Sequence, residues 1–291
     1  MKNSYIKHFI ELNLAILIIS TSGVLGKFIS LPPPIIIWWR CFIAAIFLGV
    51  FIWYKKINLR IANKRELKTI LISGICLGIH WITYFYALHL SNIAIGMLSL
   101  FTFPVITTLL EPLFLKTKIN GTQVLLGLVV LVGIYFLTPE FNLENNQTKG
   151  VFLGLVSAFF YSLRNILLKK KIVKYHGSML MFYQMLTISL ILWPVFFVFD
   201  FDIGKNDWNA LLTLALFTTA VGHTLFVMSF KNFSVSTASI MSSIQPIYGI
   251  LFGVVFLGEI PVSKTIIGGL LIISTVVIES FLSRKKMNVL K

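Results

Sequence analysis

Ten stretches of about 20 predominantly apolar residues follow one another along this chain. They lie near 8–29, 35–54, 67–90, 92–115, 121–139, 150–170, 178–199, 208–230, 235–257 and 263–282. That succession constrains the fold more than any motif. About 20 apolar residues of helix cross a bilayer core, and in lipid the backbone must satisfy its own hydrogen bonds, which selects helices. The breaks are short, among them Leu31-Pro32-Pro33-Pro34, Ser91-Asn92, Asn120-Gly121, His176-Gly177 and Gly258 to Pro261. Such tight turns make successive helices near-antiparallel neighbours and leave no loop to hold a soluble domain. Charged residues are 12% of the chain, against roughly 25% in soluble domains, and the mean hydropathy is +0.90. The sequence predicts an all-α integral membrane protein with ten transmembrane helices.

A net charge of +15 would point to nucleic acid in a soluble protein. Here the cations cluster between apolar runs, as in Lys55-Lys56, Lys64-Arg65 and Lys169-Lys170-Lys171. That is the pattern of cytoplasmic loops beside anionic lipid headgroups, so membrane lipids are the expected partner and nucleic acid is not. With the N-terminus inside, 19 of the 25 Lys and Arg fall on the cytoplasmic side. Lys149, Lys205 and Lys264 fall outside, and Lys27, Arg40 and Arg164 lie within helices. The bias predicts both termini cytoplasmic and an even number of spans, in the plasma membrane (bacterial inner membrane). The apolar run from Phe9 contains Glu11 and Asn13 and lacks an A-x-A site, so it reads as a retained first helix. Cys41 and Cys76 lie in apolar segments and read as small hydrophobes, with no disulfide and no metal site.

Sliding the chain on itself by 142 residues aligns Pro104 with Pro246, Leu109 with Leu251 and Phe114-Leu115 with Phe256-Leu257. Gly127-Leu128 falls on Gly269-Leu270. This register divides the chain into 1–141 and 142–291, each with five spans. An odd count per half sends the second half into the membrane from the opposite side, so two inverted five-helix repeats are expected. His80 and His223 lie near the middle of their spans at an offset of 143.

Polar groups within spans are costly unless paired or wet, and each is a site candidate. Asn13, Ser20, Gly23 and Lys27 share one face of the first helix by the i, i+3, i+4, i+7 rule. Ser157, Tyr161 and Arg164 do so in the sixth, Gly96, Ser99 and Phe103 in the fourth, and Ser239, Ser242, Pro246 and Gly249 nearly so in the ninth. The plainer reading of the Ser and Gly positions is close helix packing. Together with the aromatic run His80, Trp81, Tyr84, Phe85 and Tyr86, these faces predict one central cavity. The residues expected there are Ser20, His80, Trp81, Tyr84, Ser99, Phe103, Tyr161, Arg164, Ser242 and Gln245. Arg164 either snorkels to the cytoplasmic headgroups, pairs with Glu111, or meets a substrate carboxylate. Glu111, before Pro112, is a candidate proton-coupling carboxylate, with His223 a weaker coupling candidate. Lys27 and Arg40 fall near the outer surface, where snorkelling explains them at least as well.

The chain resembles the drug/metabolite transporter superfamily, of the EamA type, over nearly its whole length. The residues that carry the resemblance are Gly23-Val24-Leu25-Gly26-Lys27, the proline-rich turn before Trp39-Arg40, and Ala94 to Ser99 before Thr102-Phe103-Pro104 and Glu111-Pro112. Gln245-Pro246, Phe256-Leu257-Gly258-Glu259 and Gly268-Gly269 complete the set. In the first half Leu115-Lys116-Thr117 stands where a second Leu-Gly-Glu is expected. The resemblance implies a ten-helix inverted-repeat bundle around a central cavity, and a secondary transporter. The expected activity is export of small metabolites such as amino acids, possible protons as coupling ion being left open. No G-x-x-x-x-G-K-[ST], H-E-x-x-H or G-x-S-x-G is present, so neither a nucleotide-driven pump nor a membrane enzyme with a cofactor or catalytic residues is expected. A passive channel or facilitator is the alternative, with a membrane-embedded enzyme a lesser one.

Overall fold

Helices start and stop where the sequence punctuates them. A computed structural model describes residues 2–115, 121–137, 142, 144–233 and 235–289. Thirteen α-helices follow in order: α1 Lys2–Phe28, α2 Pro33–Tyr54, α3 Lys64–Leu90, α4 Ile93–Leu100, α5 Phe103–Leu115, α6 Gly121–Leu137, α7 Asn146–Lys169, α8 Gly177–Leu192, α9 Lys205–Thr213, α10 Thr224–Ser229, α11 Val235–Met241, α12 Gln245–Leu257 and α13 Ser263–Val289. Prolines at its first positions, where the missing N–H costs nothing, open α2. Asn63, Asn92 and Asn145 cap α3, α4 and α7, each side-chain oxygen accepting a backbone N–H at 2.8–2.9 Å. Gly258, at φ 69°, ends α12 in the left-handed conformation that glycine adopts without strain.

Among the described residues, seven helices are long and apolar enough to cross a membrane: Lys7–Phe28, Pro33–Tyr54, Lys64–Leu90, Ile93–Phe114, Asn146–Lys169, Gly177–Phe197 and Lys205–Ser229. Three shorter apolar helices, Leu125–Phe136, Ser242–Leu257 and Ser263–Thr275, fall in the remaining expected spans. No strand occurs among the described residues. Large apolar side chains such as Trp53, Phe197, Leu113 and Phe256 stand exposed around the bundle, as lipid-facing residues do.

Two expected spans are interrupted. The chain between α4 and α5 turns at Phe101-Thr102, and a 3₁₀ turn at Ser242–Ile244 separates α11 from α12. In both, proline is the second residue of the following helix, Pro104 and Pro246. A proline lacks the N–H for the helical ladder and disfavours helical backbone just before it, so the helix restarts there. A third irregularity is a π-helical stretch, Leu214–His223, between α9 and α10; such bulges gather at functional sites.

The packing of these elements frames the centre. The longest contact runs between α3 and α7, while α2 lies against α8, α6 against α13, and α1 against both α12 and the π-helical stretch. The short α4 is held between α7 and α12 by glycine. A Cβ at Gly154 would come within 1.9 Å of Ser99 Oγ, and one at Gly249 within 1.9 Å of Met97 Sδ. Ser99 is therefore a packing residue, its hydroxyl returned to the Ile95 and Gly96 carbonyls. At one edge Glu66 ties α3 to the segment after α7, accepting from Lys174 Nζ at 2.8 Å and from the Tyr175 hydroxyl, with Lys171 at 3.6 Å. That hydrogen bond raises the pKa of Lys174 and keeps it charged.

Candidate functional site

A small cavity sits where the two interrupted helices meet α1, α3, α7 and the π-helical stretch. Its walls are Ile19, Ser22, His80, Trp81, Tyr84, Met97, Leu100, Phe101, Phe103, Tyr161, His223 and Gln245, and its volume is about 30 Å³. That is about the space of one water in the liquid, so the cavity as it stands admits no metabolite. Six of these residues form pairs 142 apart in sequence: Ile19 with Tyr161, Trp81 with His223, and Phe103 with Gln245. Phe103 and Gln245 each occupy the first position of a restarted helix, which is why the interruptions point at the cavity.

Aromatic rings fill most of the wall. His80 stacks on Tyr161 with centroids 4.4 Å apart, Phe103 meets Tyr161 edge-on at 4.8 Å, and His223 meets Trp81 edge-on at 5.2 Å. Ser157 Oγ lies 2.7 Å from His80 Nδ1 and donates to the His80 carbonyl at 2.9 Å. The one hydroxyl proton goes to the carbonyl, so His80 Nδ1–H is the donor in the first contact and Nε2 remains an acceptor.

Of the residues expected in the cavity, His80, Trp81, Tyr84, Phe103, Tyr161 and Gln245 line it, as does His223. Ser20 does not; its hydroxyl returns to the Ile16 carbonyl, and Ser22 takes the wall position instead. Ser242 likewise bonds the Ser239 carbonyl. Arg164 is fully buried, which ends the headgroup-snorkelling explanation. Its polar contacts are with neutral groups, Asn165 Oδ1 at 2.9 Å, Gln184 Oε1 at 2.9 Å and Met181 Sδ at 3.0 Å, rather than with Glu111. Glu111 acts electrostatically on Lys169.

Of the two residues read as peripheral in the sequence, Arg40 proves internal, while Lys27 stays part-exposed at a helix end. Arg40 is fully buried, with its guanidinium carbon 3.9 Å above the Trp81 ring and Nε donating to Thr219 Oγ1 at 2.5 Å. Thr219 lies in the π-helical stretch, 179 positions away, so counting along α2 could not find this contact. Lys27 Nζ donates to the Leu88 carbonyl at 2.5 Å and the Ser91 carbonyl at 2.8 Å, which closes the C-terminal end of α3. Lys169 Nζ does the same past α10, to Phe230 O at 2.9 Å and Phe233 O at 3.0 Å. The sequence separations are 61 and 64 in both cases, and all three positions differ by 142. Lys27 has in addition Glu259 Oε1 at 3.7 Å, while Glu259 Oε2 accepts the Ile93 N–H at 2.7 Å. The signal for Lys169 was present in the repeat offset applied to Lys27.

Comparison with known proteins follows the geometry. The model of the EamA-like transporter family matches residues 10–138 and 148–281. The pseudopaline exporter CntI of Pseudomonas aeruginosa is 23% identical over 246 residues, 84% of each chain. An uncharacterized transporter, YxxF, of Bacillus subtilis is 24% identical over 261 residues, 87% of this chain and 82% of its own. An uncharacterized transporter of Archaeoglobus fulgidus is 29% identical over 197 residues, 67% of this chain and 70% of its own. A crystal structure that shares 17% identity superposes with a TM-score of 0.71 over 96% of this chain and 98% of the other, a likeness of fold.

Proposed function

Because this chain belongs to the EamA-like transporter family, it is a multi-pass membrane transporter of the drug/metabolite transporter superfamily, and we propose that it exports small metabolites such as amino acids by alternating access. In this reading the chain forms ten spans as two inverted five-helix halves, 1–141 and 142–291, with both termini cytoplasmic. Three features support the halves. Equivalent helices face each other, α2 with α8 and α6 with α13. Both interrupted helices restart at aligned prolines. The lysine clamps repeat at the same offset.

The observation that carries the mechanism is a cavity of about 30 Å³ with buried walls, together with a lysine clamp at each end of the bundle. It supports an occluded state, from which releasing the Lys27 clamp opens the site to one side and releasing the Lys169 clamp opens it to the other. Helices interrupted at mid-membrane are the usual place for a transporter site, because freed backbone groups and side chains gather there. His80, Trp81, Tyr84, Phe103, Tyr161 and Gln245 then meet the solute. Arg164 holds the neighbouring wall through Gln184, whose amide donates to Ser73 Oγ at 2.7 Å. Glu111 and His223 are the candidate proton-coupling groups. The test is uptake of labelled amino acids and small organic acids into proteoliposomes, with and without a proton gradient. Gradient-dependent accumulation supports a coupled transporter. Equilibration without accumulation makes it a facilitator, and no movement of any solute sinks the proposal.

A further inference from the structure

Buried charge in this bundle is one-sided. Arg40 and Arg164 are fully buried, and the buried carboxylate among the described residues, Glu66, is already engaged by Lys171, Lys174 and Tyr175. The two arginines are not equally satisfied. Arg164 uses Nη1 and Nη2 on Asn165, Gln184 and Met181, and its Nε alone lacks a partner. Arg40 is the reverse: Nε reaches Thr219, while Nη1 and Nη2 have no hydrogen-bond partner. A buried donor left unmet costs free energy, and a buried cation without an anion costs more. The indole of Trp81 below the guanidinium offsets part of the charge but accepts none of those N–H groups. A third orphan lies close by, His223 Nδ1, on the ring that meets Trp81 edge-on. Trp81 and His223 both line the central cavity. Three unpartnered polar atoms are therefore gathered around one cavity-wall tryptophan.

We propose that Arg40 is a binding residue for a carboxylate group of the transported solute, a role that rests on the transporter reading above and gives its site a substrate chemistry. The two terminal nitrogens present a planar fork, and a carboxylate accepts from both in parallel. His223 offers a third polar contact on the same side of the bundle. Arg40 lies against Trp81 rather than on the cavity wall itself, so the site must open around Trp81 before the solute reaches the fork. A neutral analogue leaves the buried cation uncompensated, so the acid is preferred over its amide. Water can meet one or two of the donors, but it does not neutralise the charge.

The experiment is thermal unfolding of the purified protein at constant ionic strength, against α-amino acids and three- to six-carbon carboxylic acids, each beside its carboxamide, with sodium chloride as the halide control. At least one acid is expected to stabilise the protein at concentrations about tenfold below its amide. Arg40→Lys keeps the charge but loses the fork, and is expected to weaken that response about tenfold. Arg40→Met is expected to abolish it while leaving the ligand-free protein as stable as the wild type or more so, because a cost has been removed. The proposal is overturned if acids and amides act alike, if chloride acts as well as any acid, if Arg40→Met keeps the response, or if Arg40→Met destabilises the ligand-free protein. Uptake of the same panel separates this failure from that of the transporter reading. An acid bound through Arg40 but never moved refutes transport and leaves the site. A neutral solute moved equally by wild type and Arg40→Met refutes the site and leaves transport.

Discussion

At one end of the bundle Lys27 holds the carbonyls of Leu88 and Ser91; at the other Lys169 holds those of Phe230 and Phe233. Only the first lysine, among the described residues, also has a direct ion pair, with Glu259. Gly258 makes that pair possible, since its left-handed backbone ends α12 and turns the next residue back toward α1 and the N-terminus of α4. The aligned position in the first half is Thr117, so the acid is missing from the sequence there. A lysine capping two carbonyls is thus the part common to both ends, and a carboxylate in direct contact with it is an addition at one of them. Under the proposed alternation, a clamp with the extra pair holds more tightly, which favours release at the Lys169 end first.

Five substitutions break or sharpen this comparison. The largest effect belongs to the lysines themselves. A hydrogen bond to a charged group contributes about 1.5–3 kcal/mol, so Lys27→Met or Lys169→Met is expected to cost about 3 kcal/mol of stability in detergent. The Lys27 variant loses more, because it also strands Glu259, and equal losses would make the ion pair irrelevant. Arg164→Lys probes the middle, between the ends. It keeps the charge and loses the fork on Asn165 and Gln184, so normal folding with transport reduced about tenfold is expected. Wild-type transport at equal expression would return Arg164 to a structural role. Gly258→Ala imposes left-handed backbone on a residue with a Cβ, at about 1–2 kcal/mol, and thermal unfolding of this variant should fall between the lysine variants and the last one. Glu259→Gln still accepts from the Ile93 N–H but removes the charge of a partly exposed pair, worth about 0.5 kcal/mol. Its signature is kinetic: the two ends should then open with more nearly equal ease, seen as similar labelling rates from the two sides.

Much of this was readable from the residues alone, and the exceptions share a cause. Apolar runs located the helices because lipid demands internally bonded backbone, and the aromatic run from His80 marked the cavity wall. The interruptions at Phe101-Thr102 and Ser242–Ile244 were missed although Pro104 and Pro246 were aligned, because a hydropathy run does not register a lost ladder bond. Lys169 was counted among the loop cations of Lys169-Lys170-Lys171; charge counting cannot say which lysine of a run turns inward. Arg40 was read from its depth in α2, yet its environment is made by Trp81 and Thr219 from other helices. Periodicity finds the face of a helix. It does not find what the face meets.

The claim that two lysine clamps seal the cavity in alternation is tested most directly by access to Ser22→Cys, a wall position, in a protein carrying Cys41→Ser and Cys76→Ser. A membrane-impermeant maleimide is applied from each side of oriented vesicles, and labelling is followed over time. The account predicts slow labelling from both sides in the wild-type background, because Ser22 is buried. Lys27→Met should then speed labelling from the Lys27 side only, and Lys169→Met from the opposite side only. Acceleration from both sides in either variant, or from neither side in both, would contradict alternating closure by these clamps.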